Sequence, residues 1–345
     1  MLGQDNGGRT SAGPALSNSA GVPLAILGDS DSQSYQVTLS SPPGTRFGKY
    51  SALTFQWPEV LARLRPLEID LGNWGVRGTR RSIAEAMDRL GFGGRFPRKE
   101  DYLHNWAFGG AACDSLTGYN GRLAPRLVIM MNREREKWSK GVVVIMLGVN
   151  DFGHSDSLDL LAEDPVAPEV QTRILSCLKQ IQSAVKLIHR SHPSTRIVLV
   201  GVLGDTNDPS QFPRWHSAKA LSNISAGLDV FDQGLAAMAL SDQRIAFFDQ
   251  RRWFAKQWGG RGEQGEPNYK TVTIGGEFTV SNSAGNEPTH ALTADEHAGL
   301  VWNALWAQAL VTLMNSRFEI GVAPIGEREI TALVKPAFAL MAPDR

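Results

Sequence analysis

The stretch VVVIMLGVND, from Val142 to Asp151, runs six consecutive apolar residues into a glycine and ends on asparagine and aspartate. A segment that is apolar at every position is typical of a strand covered on both faces of a parallel sheet. Shorter apolar runs predict four more strands, at residues 23–27, 67–71, 196–202 and 245–248. Helical patterns lie between these runs, so we expect an α/β fold with helices on both faces of a parallel sheet.

Two long helices are predicted from apolar residues that recur at every third or fourth position. One stripe is formed by Ile174, Leu178, Ile181, Val185 and Ile188. This helix should end before Pro193, because proline cannot continue it. The other stripe is formed by Leu221, Ile224, Leu228, Phe231, Leu235 and Met238. We interpret both stripes as core.

Two insertions and the two ends of the chain lie outside this alternation. Residues 72–105 are rich in Gly and Arg and predict a surface insertion. Residues 250–289 form a second insertion, in which KTVTIGGEFTV, with a Gly275-Gly276 turn, predicts a β-hairpin near the substrate site. We expect one domain over residues 22–316 and a flexible leader over residues 1–21. Residues 317–345 should form a C-terminal extension packed on the same domain, with a strand pair.

The composition limits the classes of partner and of site. Thirty-five basic residues balance 35 acidic ones, so neither nucleic acid nor an anionic membrane is expected as the main partner. No apolar run approaches the roughly 18 residues of a membrane span. The first twenty residues lack a signal-peptide pattern, so a cytoplasmic location is expected by default, or export if a leader precedes the chain. Cys113 and Cys177 form no disulfide framework, and the oligomeric state is left open.

The segment AILGDSDSQSY, residues 25–35, ends the first predicted strand on Gly28, Asp29 and Ser30. These residue types are common where a strand turns into a helix and the helix needs a cap. Ser30 is also placed to act as a nucleophile, which requires a base, an acid that orients the base, and oxyanion donors. Ligands of parallel sheets bind beyond the carboxyl ends of the strands. Ser30 and Asn150 should therefore share one crevice, where the Asn150 amide can stabilise an oxyanion.

The candidate base lies near the C-terminus, in EPTHALTADEHAGL. Glu287 precedes His290 by three residues, and a carboxylate oriented against an imidazole makes it a better base. Thr293 and Glu296 match a capping box, which predicts that a helix starts near Thr293 and leaves His290 in the loop before it. Asp295 is then explained by the favourable charge of a helix N-terminus.

Taken in chain order, GDSDS, a Gly-rich block, GVND and a late acid-x-x-His resemble the blocks of the SGNH (GDSL-type) hydrolase family, over residues 25–313. The resemblance implies a three-layer α/β/α sandwich with five parallel strands in flavodoxin-like order, and neither metal nor organic cofactor. It implies that Ser30 is the nucleophile and an oxyanion donor through its backbone N–H, that Asn150 is a second donor, and that His290 is the base. Glu287 departs from the aspartate that is usual in the family.

Two segments match the glycine block of this family. NWAFGGAAC, residues 105–113, and NWGVRGT, residues 73–79, both fit the pattern Asn-x-x-x-x-Gly. The second follows the second predicted strand directly, as in the simplest layout of the family. The first lies nearer to the Asn150 block and resembles the family more closely, so we predict Gly110 as the third oxyanion donor, with Gly78 as the alternative.

The predicted function is a serine ester hydrolase that acts through an acyl-enzyme on a small-molecule ester, with the acyl group carried by a carbohydrate or a lipid. An O-acyltransferase would use the same residues. A non-catalytic carbohydrate-binding protein is suggested by tryptophans near predicted loops, namely Trp74, Trp106, Trp215, Trp253 and Trp258. Three other classes of enzyme are not supported by the sequence. It contains no G-x-S-x-G segment of an α/β-hydrolase and no glycine spacing of a P-loop protein. It also contains no histidine cluster of the kind that a metallophosphatase needs.

Overall fold

A computed structural model describes residues 21–37, 39, 46–118, 121–203, 206, 207, 209–262 and 264–341. The predicted leader thus lies outside the described residues, apart from Gly21. The strands are β1 (Val22–Gly28), β2 (Ile69–Asp70), β3 (Trp74–Arg77), β4 (Lys99–Tyr102), β5 (Val142–Met146), β6 (Arg196–Val200), β7 (Ile245–Phe248), β8 (Gly259–Arg261), β9 (Pro267–Tyr269), β10 (Thr271–Ile274), β11 (Phe278–Ala284) and β12 (His290–Leu292).

The helices are α1 (Trp57–Leu64), α2 (Arg81–Arg89), α3 (Asp114–Thr117), α4 (Leu123–Met131), α5 (Arg135–Trp138), α6 (Val149–Phe152), α7 (Ser155–Glu163), α8 (Pro168–Ser191), α9 (Ala218–Ser241), α10 (Gln250–Trp258), α11 (Leu300–Phe318) and α12 (Glu327–Ala339). Three short 3₁₀ turns cover Gly48–Leu53, Asn132–Glu134 and Pro209–Gln211. Helix α8 ends just before His192 and Pro193, as predicted from the proline.

The central sheet has five parallel strands in the order β2-β1-β5-β6-β7. In chain order this is 2-1-3-4-5, the flavodoxin-like arrangement, and the predicted fold class is confirmed. Each predicted strand is present, with bounds that differ by at most two residues at either end. Strands β1 and β5 are neighbours, with Gly28 opposite Met146, so the segments that follow them emerge side by side.

Both faces of the sheet are covered, which explains why β5 is apolar throughout. Side chains alternate along a strand, so neighbouring residues enter different cores. Val142 and Val144 pack into a core with α1, α10, α11 and α12, whereas Val143 and Ile145 pack into a core with α4, α8 and α9. A polar residue at any of these positions would be buried without a partner.

The predicted surface insertion forms a small unit at the edge of the sheet. It leaves the carboxyl end of β2, forms the antiparallel pair β3–β4 with α2 between them, and returns beside β1, where Trp106 N–H donates to Ile26 O at 2.9 Å. The insertion therefore ends next to β1, the strand that precedes Ser30.

The predicted hairpin is present as β10–β11, with Ile274 paired to Phe278 across a Gly275-Gly276 turn of positive φ. It packs on the C-terminal helix, where Phe278 stacks on Phe338 with ring centroids 4.6 Å apart. Its residues do not line the cavity described below, and its predicted role as part of the substrate site or its lid stays a prediction.

Two other expectations near the C-terminus are wrong. The tail contains α12 in place of a strand pair, because Ile330, Val334 and Ala337 form a buried stripe at helical spacing. The helix predicted to start near Thr293 is α11, and it begins at Leu300, seven residues further on. Thr293 caps no helix: its hydroxyl donates to the Asp295 carboxylate, and its N–H donates to the carbonyl of His297 at 2.7 Å, which closes a tight turn.

The two cysteines, which the sequence left unpaired, form a disulfide between residues 64 positions apart. Cys113 lies just before α3 and Cys177 lies in α8, and both are buried. Within the described residues, none of the helices combines the length and the apolar character that crossing a bilayer requires.

Candidate active site

A cavity of about 340 Å³ opens at the carboxyl edge of the sheet, where β1 and β5 end. Its polar side includes Ser30, Asp31, Asn150, His154, Asp295 and His297. Its apolar side includes Trp57, Met146, Val149, Leu203, Leu292, Trp302 and Trp306. The position is the one that open parallel sheets use for ligands. Ser30 and Asn150, predicted to share a crevice, both line this cavity.

Ser30 is held by a tight turn that follows β1. Asp29 is buried and anchors the turn, since its carboxylate accepts the Asp31 N–H at 2.9 Å and its carbonyl accepts the Ser32 N–H at 3.2 Å. Ser32 and Ser34 are buried, and Ser34 donates to Asp101 at 2.7 Å. Ser30 is the serine of this segment that lines the cavity.

Helix α1 clamps the turn from the other side. Gln56, at the N-cap, accepts the Trp57 N–H and donates its side-chain amide to the Ser30 carbonyl at 3.3 Å. The Trp57 indole donates to the Asp31 carbonyl at 3.2 Å. Gln56 and Trp57 are buried, so the backbone around Ser30 is fixed by groups that cannot easily move.

Asn150 lies in the first turn of α6, directly after β5. Its Nδ2 donates to the Ala111 carbonyl at 2.9 Å, and its Oδ1 lies 3.3 Å from His154 Nε2. An amide nitrogen carries two hydrogens, so one remains for a ligand. The neighbouring Asp151 accepts the Cys113 N–H at 2.9 Å, which ties the segment after Gly110 to the same helix.

The two candidate glycines differ in their surroundings, and neither lines the cavity. Gly110 has φ 76°, is exposed, and precedes the Ala111 that binds Asn150. Gly78 has φ 77° and lies in the insertion, where an added Cβ would come within 2.4 Å of the Pro97 carbonyl. The glycine at position 78 is thus explained by a close backbone approach.

Two imidazoles line the cavity, and the sequence predicted neither of them. His154 lies against Asn150, and the second imidazole belongs to His297. The turn between β12 and α11 carries it, with His297 N–H donating to Thr293 Oγ1 at 3.1 Å. Its Nδ1 lies 2.8 Å from the Asp295 carbonyl and 3.4 Å from Asp295 Oδ1. The other carboxylate oxygen, Oδ2, accepts a hydrogen bond from Arg46 Nε at 2.6 Å.

The charges around His297 favour its protonated form. Burial by itself lowers the pKa of His297, but the hydrogen bond to Asp295 and the nearby charge of Asp31 raise it above its usual range. Burial also acts to raise the pKa of Asp295, yet hydrogen bonds with His297, Thr293 and Arg46 hold that pKa well below its usual range. Asp295 is therefore an anion against the imidazole, as an orienting carboxylate must be.

Glu287 and His290 are brought together by the structure but not to the cavity. His290 Nε2 lies 3.4 Å from Glu287 Oε2, and its Nδ1 lies 2.7 Å from the Ser283 hydroxyl. The cause is β12: His290 begins this strand and pairs with Ser281, so a strand and a turn separate it from α11. The loop just before the helix contains Asp295 and His297 instead. The sequence pattern Asp-x-His is a signal for this pair, although an aspartate there is also typical of a helix start.

The aromatic side of the cavity also differs from the sequence interpretation. Of the tryptophans predicted to lie in loops, Trp106, Trp215 and Trp258 are buried, and none of the five lines the cavity. The tryptophans that do are Trp57, Trp302 and Trp306, from α1 and α11. The Trp57 and Trp306 rings are 4.7 Å apart, which makes a rigid apolar wall.

One group of three potential metal ligands occurs within the described residues, formed by Cys113, Asp151 and Cys177. Their ligand atoms lie within 4.8 Å of one another. Both sulfur atoms are joined in the disulfide, so the group offers a metal one carboxylate and no thiolate.

Three solved structures show the level of similarity to known proteins. A lipase, Lip_vut3, from a goat rumen metagenome has 12% sequence identity over 88% of this chain and 98% of its own, with a TM-score of 0.42. An extracellular lipase from Streptomyces rimosus has 18% identity over 85% of this chain and 99% of its own, with a TM-score of 0.41. Phospholipase A1 from Streptomyces albidoflavus NA297 has 13% identity over 68% of this chain and 82% of its own, with a TM-score of 0.36. A search of curated proteins finds no match.

The family follows from a sequence match. The GDSL-like lipase/acylhydrolase family matches residues 26–268, a range that includes Ser30 and Asn150 and ends before Asp295. This match covers more than half of the chain. The chain therefore belongs to the GDSL-like lipase/acylhydrolase family, and it is a hydrolase of ester bonds.

Proposed function

We propose that this hydrolase acts through an acyl-enzyme, with Ser30 as nucleophile, His297 as general base and Asp295 as the acid that orients it. The observation that carries the proposal is that Ser30, Asn150 and His297 line one cavity and that His297 is backed by the Asp295 carboxylate. In this proposal His297 and Asp295 take the roles predicted for His290 and Glu287. Nucleophile, base and orienting acid are the three parts that serine catalysis needs.

The reaction would have two halves, the formation of the acyl-enzyme and its hydrolysis, with two proton transfers in each. His297 Nε2 accepts the proton of the Ser30 hydroxyl while Oγ attacks the ester carbonyl, and the charge moves to the carbonyl oxygen. The Ser30 N–H and the free N–H of Asn150 stabilise this oxyanion. As the tetrahedral intermediate collapses, His297 gives the proton to the departing alcohol. In the second half, water attacks the acyl-enzyme while His297 accepts its proton. His297 then returns the proton to Ser30, and the carboxylic acid is released.

The third oxyanion donor is proposed to be the Gly110 N–H. The segment that carries Gly110 runs beside β1, since Phe108 N–H donates to the Gly28 carbonyl at 3.1 Å, and Ala111 is bound to Asn150. Gly78 lies in the insertion, packed on Pro97. Gly110 lies outside the lining of the cavity, and loops that carry such donors often tighten around a bound substrate.

The proposed substrate is an ester with a short acyl group, whose alcohol is a carbohydrate or a lipid. The cavity volume of about 340 Å³ is at the small end for ligand sites, and its apolar side is formed by large, fixed rings. A short hydrocarbon fits such a wall, whereas the alcohol would lie on the side of Asp31, His154 and His297, which can bind hydroxyl groups.

The test combines labelling with a matched pair of histidine variants. A fluorophosphonate should label Ser30, and Ser30→Ala should abolish both labelling and hydrolysis of p-nitrophenyl butyrate. His297→Ala should lower kcat on the order of 10⁴-fold or more, because base and nucleophile act as a unit. His290→Ala removes the same side chain outside the cavity and should stay near wild-type. Labelling of another serine, or a crippled His290→Ala beside an active His297→Ala, would overturn the proposal.

A further inference from the structure

The surface insertion carries a concentration of exposed apolar side chains. Twelve large apolar residues are exposed in the described chain, and five of them lie between residues 76 and 92: Val76, Ile83, Met87, Leu90 and Phe92. The other seven are spread over the rest of the chain, from Leu39 to Met341. Scattered exposed residues are normal, but a contiguous group of this kind marks an interaction surface.

Four of these side chains form an apolar edge along α2 and the tip that follows it, namely Ile83, Met87, Leu90 and Phe92. Ile83, Met87 and Leu90 follow each other at helical spacing, so they share one side of α2 and its C-terminal end. The helix buries only Ala84 against the protein. Leu90 and Phe92 then protrude from a glycine-rich tip, with 72% and 60% of their surfaces exposed. A protruding apolar tip is suited to insertion into a soft phase more than to a flat protein contact.

Among the described residues near this edge, the charges left outside ion pairs are basic. Between residues 76 and 98 the acidic side chains are Glu85 and Asp88, and both are in ion pairs, with Arg81 at 2.9 Å and with Arg122 at 2.7 Å. Three arginines are exposed and form no ion pair within the described part of the chain, namely Arg80, Arg89 and Arg98. The zero net charge of the whole chain therefore conceals a local basic surface.

The insertion is firmly joined to the segment beside the active site. Arg95 donates to the carbonyls of Leu103 and Asn105, and the buried Lys99 donates to the carbonyl of Ala107. That segment continues to Ala111, which binds Asn150. The insertion also leaves the sheet at the carboxyl end of β2, the same edge at which the cavity opens. A surface that held this insertion would lie at the edge of the sheet where the substrate enters.

We infer that α2 and its tip dock the protein on an anionic lipid surface, with Ile83, Met87, Leu90 and Phe92 entering the acyl boundary and Arg80, Arg89 and Arg98 contacting lipid phosphates. An amphipathic helix with arginines beside its apolar side is the form that lies in a membrane interface. Basic residues near such a surface each add to binding, and this part weakens with salt. None of these residues lines the cavity, so the inference does not depend on the proposed catalytic groups.

Co-sedimentation with vesicles tests the inference on the full chain, without any measurement of hydrolysis. The protein should bind phosphatidylglycerol vesicles, bind phosphatidylcholine vesicles less, and lose affinity at high salt. Leu90→Ser/Phe92→Ser should weaken binding on the order of 100-fold, the effect of withdrawing two large apolar side chains. Arg80→Gln/Arg89→Gln should weaken it about 30-fold on phosphatidylglycerol and little on phosphatidylcholine.

Matched controls remove equal side chains elsewhere. Leu175→Ser/Leu240→Ser and Arg190→Gln/Arg328→Gln act on exposed positions outside the insertion and should bind vesicles like the wild type. Thermal unfolding confirms that each variant is folded. The inference is overturned by failure to bind phosphatidylglycerol, or by equal loss in the controls. It is also overturned if the free protein forms a dimer that Leu90→Ser/Phe92→Ser abolishes, which would assign the apolar edge to a second copy of the chain.

Discussion

Nδ1 of His297 lies 3.4 Å from Oδ1 of Asp295, two residues earlier in the same turn. The turn is stiff, since the Thr293 N–H donates to the His297 carbonyl at 2.7 Å and Arg46 holds the far oxygen of the carboxylate. Such a contact fixes the tautomer in which Nδ1 carries the hydrogen and leaves Nε2 free to accept a proton. This geometry supports the proposed role of His297 as base.

Asp295→Asn should lower kcat by between tenfold and about 10⁴-fold, the larger figure being the cost of losing this carboxylate in other serine hydrolases. Asparagine keeps the shape but removes the charge that stabilises the imidazolium. Glu287→Gln is the matched control, because it removes the same charge beside His290, and it should change kcat little. Steady-state kinetics of both variants decide the matter. If Glu287→Gln is the crippled variant, His290 is the base.

Asn150→Ala should lower kcat by about 10²–10³-fold with a smaller change in KM, because an oxyanion donor acts chiefly in the transition state. The variant also loses the hydrogen bond to Ala111. Thermal unfolding measured beside the kinetics separates the two effects, since a structural loss would lower Tm. Asn282, whose Nδ2 donates to the Asn207 carbonyl, supplies a control: Asn282→Ala loses a comparable hydrogen bond away from the cavity. An equal fall in kcat in both variants would remove Asn150 from the oxyanion site.

The acid limb of kcat/KM should lie above pH 6.5, the ordinary pKa of histidine, because the pKa of His297 is raised and a protonated imidazole cannot act as base. The Asp31 charge contributes to this rise. Asp31→Asn removes an anion that favours the imidazolium, so the pKa of His297 should fall and the limb should move to lower pH.

The control for this pH profile is Asp156→Asn, an exposed aspartate that does not line the cavity. Its limb should coincide with that of the wild type. Two outcomes for Asp31→Asn would contradict the assigned charges: a shift of the acid limb of kcat/KM toward higher pH, or an acid limb that does not move. Either result would mean that a group other than His297 sets the limb.

The layout of the sheet could be predicted because its physical cause is local. Each residue of Val142–Met146 enters one core or the other, so the pattern is visible in five consecutive letters. The same holds for Ser30 and Asn150, which follow directly after β1 and β5. Parallel strands bring their carboxyl ends together, so position in the sequence was enough to bring these two side chains to one edge.

The proposed base could not be predicted in this way, because a local pattern had two structural outcomes. Thr293 and Glu296 match a capping box, yet the Thr293 hydroxyl bonds within a turn and Glu296 takes a left-handed conformation with φ 64°. What decides between helix and turn is tertiary: Arg46, about 250 positions away in sequence, binds Asp295. The pairing of Cys113 with Cys177 depends in the same way on how α8 packs beside α3.

Leu203→Trp should shift the substrate preference of the enzyme toward shorter acyl groups. Leu203 lines the cavity and is only partly buried, so the larger ring can fill free space. Each additional methylene of a substrate needs room in the cavity and gains about 0.8 kcal/mol when it is buried. The ratio of kcat/KM for p-nitrophenyl octanoate over acetate should fall at least about tenfold. Leu240→Trp, at an exposed position of α9, should leave the ratio unchanged. An unchanged ratio in Leu203→Trp would place the acyl group elsewhere.

The disulfide should support both the stability and the oxyanion side of the site. It closes a loop between residues 64 positions apart, for which chain entropy gives roughly 4 kcal/mol of stabilisation. It also fixes Cys113, whose N–H donates to Asp151, the neighbour of Asn150. Cys113→Ala/Cys177→Ala should therefore lower Tm and, at temperatures where it is folded, lower kcat more than it raises KM. Thermal unfolding and steady-state kinetics of this variant measure the two effects separately. If Tm falls and kcat does not, the disulfide braces α8 without positioning Asn150; if neither changes, the two thiols are not bonded in solution.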